Sequence, residues 1–223
     1  MIISGADVLN RAKERAIPLL ANAWDIFINW QFLQSIKLDF LGGVIWEDVL
    51  FAELLFAQCE RILVLPQDLS NYRVRVDSTQ NFANFTQKVL PPFVSPLQKH
   101  FSDANSAWVY FSAFSWVSIA EQFSRFCETH KNTQIAKMLI ECYLRHLLVE
   151  GSAIMECEND PNGAKKVFLK LAVKWGKKYL PPKKRQFAYN ENSLAWKVYR
   201  FCAYLVEVER KFRRWRKSKF KKV

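Results

Sequence analysis

Arg125 and His130 form the one constellation in this 223-residue chain that could carry out acid–base chemistry on a phosphate. They stand at the two ends of the segment Arg-Phe-Cys-Glu-Thr-His, inside a stretch that we predict to be helical. Within helices this spacing could bring a guanidinium and an imidazole near one another. An arginine can stabilise phosphate charge and a histidine can move a proton, which is the minimum for cleaving RNA without a metal. The alternative to a catalytic role is that Arg125 and His130 simply end a helix, where a positive charge interacts favourably with the helix dipole.

This R-x4-H spacing resembles the motif of the HEPN family of helical ribonucleases. The resemblance implies an all-α fold that is often dimeric, with RNA cut by the Arg and His of each subunit, here Arg125 and His130. It covers six residues, and Phe126 occupies the position after the Arg that is usually polar in that family. Metalloprotease, serine-hydrolase and phosphate-cradling motifs are absent, and the acids form no evident metal-binding motif. We therefore predict a non-catalytic protein without metal or cofactor, and we keep the ribonuclease as the alternative.

Charge divides the chain into two parts. Residues 164–223 contain 20 Lys and Arg and three acids, a net charge of +17, whereas residues 1–163 contain 13 Lys and Arg and 18 acids, a net charge of −5. Self-repulsion on this scale destabilises a folded segment unless a partner screens it. A phosphate backbone does so and releases counterions. We therefore divide the chain into a mildly acidic helical body, 1–163, and a basic helical segment, 164–223, that packs on the body and extends from it. The alternative is a solvated surface that only aids solubility.

The basic segment is predicted to have three parts. Residues 164–179 form an amphipathic helix with a row of lysines four residues apart, which can follow a phosphate backbone. Residues 180–191 form a linker that two prolines hold extended. Predicted phosphate contacts are Lys166, Lys170, Lys174, Lys177, Lys178, Lys183, Lys184, Arg185, Arg210, Lys211, Arg213, Arg214, Arg216, Lys217, Lys219, Lys221 and Lys222. Predicted base-stacking residues are Trp175, Phe187, Tyr189 and Trp215, although Trp175 could equally be core and the Phe and Tyr could anchor the linker.

The third part is a last helix, residues 192–218, with a regular apolar seam. Its members step by four and three: Leu194, Val198, Phe201, Leu205, Val208, Phe212 and Trp215. A period of 3.5 residues is typical of coiled-coil packing, against another helix of this chain or of a partner. Past Glu209 nine of fourteen residues are Lys or Arg. Such a basic amphipathic end could also lie on an anionic membrane, although its apolar stripe is narrow, so a peripheral membrane or protein-scaffold module is a further alternative.

The elements that must position these residues are predicted to be helices. Half of the residues are hydrophobic and only six are glycine, which favours long helices around a sizeable core. Predicted helices cover residues 7–16, 19–41, 46–65, 79–90, 103–130, 132–156, 164–179 and 192–218, and residues 71–78 are the one candidate strand. Ser4, Asp103 and Asn132 are predicted to cap three of these helices, and the turn residues 159–163 are the predicted boundary before the helix at 164–179. The fold class is all-α, a bundle of about six to eight helices with a basic C-terminal helical segment.

Composition also gives expectations about location and partners. The odd number of cysteines, five, and the absence of a Cys-x-x-Cys pair favour buried thiols in a reducing cytoplasm. Residues 104–120 are uncharged but contain four serines, so we expect a core helix instead of a membrane span. These observations predict a soluble, cytoplasmic protein. The basic segment predicts that it binds RNA or single-stranded DNA. We expect it to act with other protein subunits in a ribonucleoprotein or nucleic-acid-processing complex.

Overall fold

A computed structural model describes residues 1–16, 25–67 and 90–188. The chain divides into two compact units, residues 1–171 and residues 172–223, and the second is described over 172–188. The described part is mostly helical, which confirms the predicted all-α, multi-helix bundle. Outside the described residues lie the predicted helix at 192–218, the predicted helix at 79–90 apart from Leu90, the candidate strand at 71–78, the apolar seam and Cys202.

The first unit is built around helix α4, Ala104–Thr129. Asp103 begins it by accepting a hydrogen bond from the Ser106 amide at 2.9 Å, as the sequence predicted. In its uncharged part, residues 104–120, Tyr110 and Ile119 are both at 0% exposure, and so is Phe123 just beyond it. That burial confirms the prediction of a core helix. Among the described residues, no helix combines the length and the apolar character that crossing a membrane requires.

Helix α1, Gly5–Glu14, begins with the predicted cap at Ser4. The Ser4 hydroxyl accepts from the Asp7 amide, and the Asp7 carboxylate accepts from the Ser4 amide at 2.7 Å. Asp7 is exposed, and these hydrogen bonds lower the pKa of its carboxyl. Helix α1 packs against helix α3, Glu47–Gln58.

Two of the predicted helices are too long. Helix α3 ends at Gln58 and not near residue 65, because Cys59 is extended and strand β2, Ile62–Leu63, pairs antiparallel with strand β1, Ile2–Ile3. The prediction at 19–41 is also wrong over its described part. There, helix α2 covers only Trp30–Ile36 and ends at Lys37, whose left-handed backbone cannot continue it.

One long helical stretch follows α4 and contains three kinds of helix. Asn132 caps helix α5, Thr133–Leu139, by accepting from two backbone amides. A π-helical turn, Ile140–Leu144, leads into helix α6, Arg145–Gly151, and a 3₁₀ segment, Ser152–Glu156, ends the stretch. The predicted helix at 132–156 is therefore confirmed in extent, and the π turn is an addition that the sequence did not predict.

Glu53 is a carboxylic acid in the core of the first unit. It lies in the middle of α3 at 0% exposure, and neither carboxyl oxygen has a hydrogen-bond partner in the described structure. The same holds for the hydroxyl of Tyr143, a fully buried residue in the π turn. Burial raises the pKa of Glu53 well above its ordinary value, because a carboxylate there would lose its hydration. The titratable groups that sense its charge are Cys127, Cys142 and Tyr143.

We expect the stability of the protein to fall as pH rises, because of Glu53. The unfolded chain releases this proton near the ordinary value of 4.5, whereas the folded chain keeps it to higher pH. Between the two pKa values the unfolding free energy therefore falls by up to about 1.4 kcal/mol per pH unit. Denaturant titrations from about pH 5 to about pH 8 should show this slope in the wild type and lose it in Glu53→Gln. Glu14→Gln, at an exposed position of α1, is the matched control, and an unchanged slope in Glu53→Gln would contradict the assignment.

Candidate nucleic-acid interface

The predicted boundary at residues 159–163 is a turn that begins a basic helix. Helix α7, Ala164–Leu171, starts where the Asp160 carboxylate accepts hydrogen bonds from the amides of Ala164 and Lys165, at 2.8 and 2.9 Å. The Tyr110 hydroxyl of α4 donates to the same carboxylate at 3.0 Å. Gly163 has a positive φ of 70°, which suits a residue without a Cβ. Asp160 thus ties the start of α7 to the central helix.

Helix α7 presents two of the predicted lysines to solvent. Phe168 and Leu171 are buried, at 1% and 6% exposure, and α7 packs on α4. Lys166 and Lys170 lie four residues apart and are exposed, as the amphipathic pattern predicted. Lys165 is directed elsewhere, because its ammonium donates to the Cys157 carbonyl at 2.6 Å. The first unit therefore has a pair of exposed cations about one helical turn apart.

The described part of the second unit is a small helical hairpin. A π-helical turn, Ala172–Gly176, leads into helix α8, Lys177–Tyr179, and a 3₁₀ segment, Pro182–Ala188, follows. Gly176 permits the close packing: a Cβ there would lie 2.9 Å from the Leu180 Cδ1 and 3.0 Å from the Ala188 Cβ. Both of those neighbours are buried. We call residues 172–188 the basic hairpin.

The predicted extended linker is wrong over its described residues. The amides of Lys184 and Arg185 donate to the Pro181 carbonyl at 2.8 and 3.1 Å, which closes a helical turn. A proline ring fixes φ near −65°, and this value fits a 3₁₀ helix as well as an extended chain. The two prolines therefore did not decide between the two conformations. Gly176 and the small Ala188, which let the segment fold back, favour the helical one.

The basic hairpin has six cations and no acid. Four of the predicted phosphate contacts are exposed there: Lys174, Lys177, Lys178 and Lys183. Lys184 and Arg185 are half-buried, and the Arg185 Nε donates to the Leu180 carbonyl at 2.9 Å. Because the hairpin contains no carboxylate, its side chains carry a net charge of +6.

Two aromatic rings of the hairpin lie beside its lysines. The Lys174 ammonium is 5.1 Å from the centroid of the Trp175 ring, and the Lys178 ammonium is 5.0 Å from that of Tyr179. The two ring centroids are 6.3 Å apart and the rings are inclined at 60°. The sequence prediction named Trp175 and missed Tyr179. The available signal was the spacing of four residues with a lysine before each ring.

Other predicted site residues are half-buried or lie outside the described part. Phe187 is half-buried in the basic hairpin. Tyr189, Trp215 and all nine predicted cations from Arg210 to Lys222 lie outside the described residues: Arg210, Lys211, Arg213, Arg214, Arg216, Lys217, Lys219, Lys221 and Lys222. Their roles stay predictions.

Arg125 and His130 lie at the C-terminal end of α4. The Arg125 guanidinium forms an ion pair with Glu121, one turn earlier on the same helix, at 2.8 Å. His130 ends the helix, its ring stacks on Phe126 with centroids 4.7 Å apart, and burial lowers its pKa. Five residues of α-helix turn through about 500°, so the two positions do not share a face. An imidazole with a lowered pKa could accept a proton, while the guanidinium is already paired with a carboxylate.

Metal and thiol chemistry have little support in the described ranges, where no group of three or more His, Cys, Asp and Glu side chains could hold a metal ion. Cys59, Cys127, Cys142 and Cys157 are free thiols. Burial raises the pKa of each, and that of Cys127 to about 12, so they are weak nucleophiles at neutral pH. Comparison of the chain with protein-family models, curated proteins and solved structures gives no match.

Proposed function

We propose that this protein binds RNA or single-stranded DNA as a non-catalytic helical subunit of a ribonucleoprotein or nucleic-acid-processing complex. The observation that carries the proposal is the basic hairpin, where six cations and no acid occupy 17 residues and four of the lysines are exposed. A phosphate backbone is the common intracellular polymer that matches a dense positive charge on a segment without carboxylates. Contacts of this kind set affinity and position, and they carry little sequence information.

The fold supports this proposal because it holds the cations on structured backbone. Lys166 and Lys170 stand on a helix that Asp160 caps and Phe168 anchors to α4. The lysines of the basic hairpin stand on short helical turns that close through Gly176. Side chains on ordered backbone lose less conformational entropy when they bind a ligand than those on a disordered tail. The sequence of residues 189–223, with its further cations, would add to the same electrostatic attraction.

A salt titration of the full-length protein tests the proposed function. We expect binding to a single-stranded RNA of about 20 nucleotides, with log affinity falling against log salt by about 0.7 for each phosphate contact. Four lysine contacts alone predict a slope of about −3. Single-stranded DNA, duplex RNA and anionic lipid vesicles serve as the other arms. The proposal would be refuted if the protein bound neither single strand at low salt, or if it bound only the vesicles. Cleavage of the RNA in the same reactions would point to the ribonuclease alternative.

A further inference from the structure

The Trp175–Tyr179 pair of the basic hairpin has a geometry that bears on the kind of nucleic acid bound. The two side chains are four residues apart, their ring centroids are separated by 6.3 Å, and both are half-buried. The ammonium of the preceding lysine lies 5.1 Å from the centroid of the Trp175 ring and 5.0 Å from the centroid of the Tyr179 ring. Attraction between a cation and the ring face keeps such a lysine near its ring. Each half of the pair is thus an aromatic face with its own cation.

The 60° inclination between the rings limits what can stack on them. Bases in a duplex are parallel and about 3.4 Å apart, so neighbouring bases of a duplex cannot stack on two planes that are inclined in this way. A single strand has unpaired bases that can be turned apart and stacked on separate rings. The centroids are 6.3 Å apart, well beyond the spacing of about 3.4 Å between stacked bases, so the two rings could serve two bases of a strand that is extended and unstacked.

We propose that Trp175 and Tyr179 form a two-ring site that stacks unpaired bases and so selects single strands over duplexes. The proposal deepens the proposed function and rests on it. When a base approaches a ring, the lysine that lies over that ring moves to the phosphate of the same nucleotide, since the charge attraction to a phosphate exceeds the attraction to a ring. Tyr179 then acts through its ring face, and its hydroxyl is not required.

The test compares single-stranded and duplex RNA of one sequence and length, using the full-length protein at fixed salt. We expect Trp175→Leu and Tyr179→Leu each to weaken single-strand binding by about 5- to 150-fold, the range measured when stacking residues are removed. Duplex binding should stay within about twofold, and the salt slope should not change because no charge is removed. Tyr179→Phe should bind like the wild type. Trp30→Leu is the matched control, because Trp30 is 66% exposed on α2, in the first unit.

The outcomes separate this inference from the proposed function. Equal losses of single-strand and duplex binding would overturn the stacking site, since they indicate a structural role for the pair. Unchanged single-strand binding in both leucine variants would overturn it as well, with the proposed function standing. A wild-type protein that binds neither RNA would refute the proposed function itself. Circular dichroism of each variant checks that the helices persist. A leucine variant that fails to fold is replaced by methionine at the same position, which should weaken single-strand binding because it lacks a ring, whereas Tyr179→Phe should not.

Discussion

Replacing Lys174, Lys177, Lys178 and Lys183 together with glutamine will lower the affinity for single-stranded RNA by about 10- to 100-fold at low salt. The slope of log affinity against log salt should become shallower by about 3, which is four phosphate contacts at about 0.7 each. All four side chains are exposed on the basic hairpin, so glutamine removes the charge while it keeps a slightly shorter polar side chain with a hydrogen-bond donor. A fluorescence anisotropy titration at several salt concentrations measures both quantities.

The body of the protein offers a matched control for this variant. Lys37, Lys99, Lys131 and Lys137 are also exposed, and they lie in the unit that spans residues 1–171. Changing these four to glutamine alters the net charge of the whole protein by the same amount. If total charge alone governed binding, both quadruple variants would lose affinity equally, and that result would contradict a local interface. We expect the control to change affinity by no more than about threefold.

Substitution is preferable to truncation because of the way α7 is packed. A chain that ends at Gly163 would lose the basic segment, but it would also lose Ala164, Phe168 and Leu171, which are buried in the first unit. Removing a large buried aromatic residue alone costs about 3–5 kcal/mol. Loss of binding by the truncated chain would therefore not distinguish missing cations from a damaged fold. The charge variants keep every buried side chain.

Features that depend on neighbouring residues were predictable from the sequence. The caps at Ser4, Asp103 and Asn132 each stand where a short polar side chain precedes a helical pattern, and each accepts a backbone amide hydrogen bond. The turn before α7 was predictable for the same reason, because Asp160 and Gly163 meet local backbone requirements. Exposure of Lys166 and Lys170 followed from the helical period.

Features that depend on distant residues were not predictable in the same way. The end of α3 is set by the pairing of Ile62–Leu63 with Ile2–Ile3, about sixty residues earlier, and no local pattern marks that contact. The sequence shows Glu53 as one acid among apolar neighbours, and only the packing around α3 reveals that it is fully buried. The π turns and the inclination of Trp175 to Tyr179 are three-dimensional properties with no sequence signature at this length.

Gly5→Ala will destabilise the protein by about 3 kcal/mol or more, since there is no room for a methyl group where α1 meets α3. A Cβ at Gly5 would lie 1.7 Å from the Phe56 carbonyl oxygen and 2.9 Å from that of Cys59. Both atoms belong to the backbone, so no side-chain rotation can relieve the overlap. The Gly5 amide also donates to the Cys59 carbonyl at 2.8 Å, a bond that α1 would break by moving away.

Gly42→Ala is the matched control for this prediction. A Cβ at Gly42 has no atom within 4 Å, and its φ does not lie in the left-handed region. The same chemical change there should alter the unfolding free energy by no more than about 0.5 kcal/mol, or raise it slightly by restricting the unfolded chain. Urea unfolding of the two variants, followed by circular dichroism, gives the comparison. Equal midpoints would show that α1 does not dock on the end of α3 as described, and the pairing of β1 with β2, which brings the chain to that point, would then be in question too.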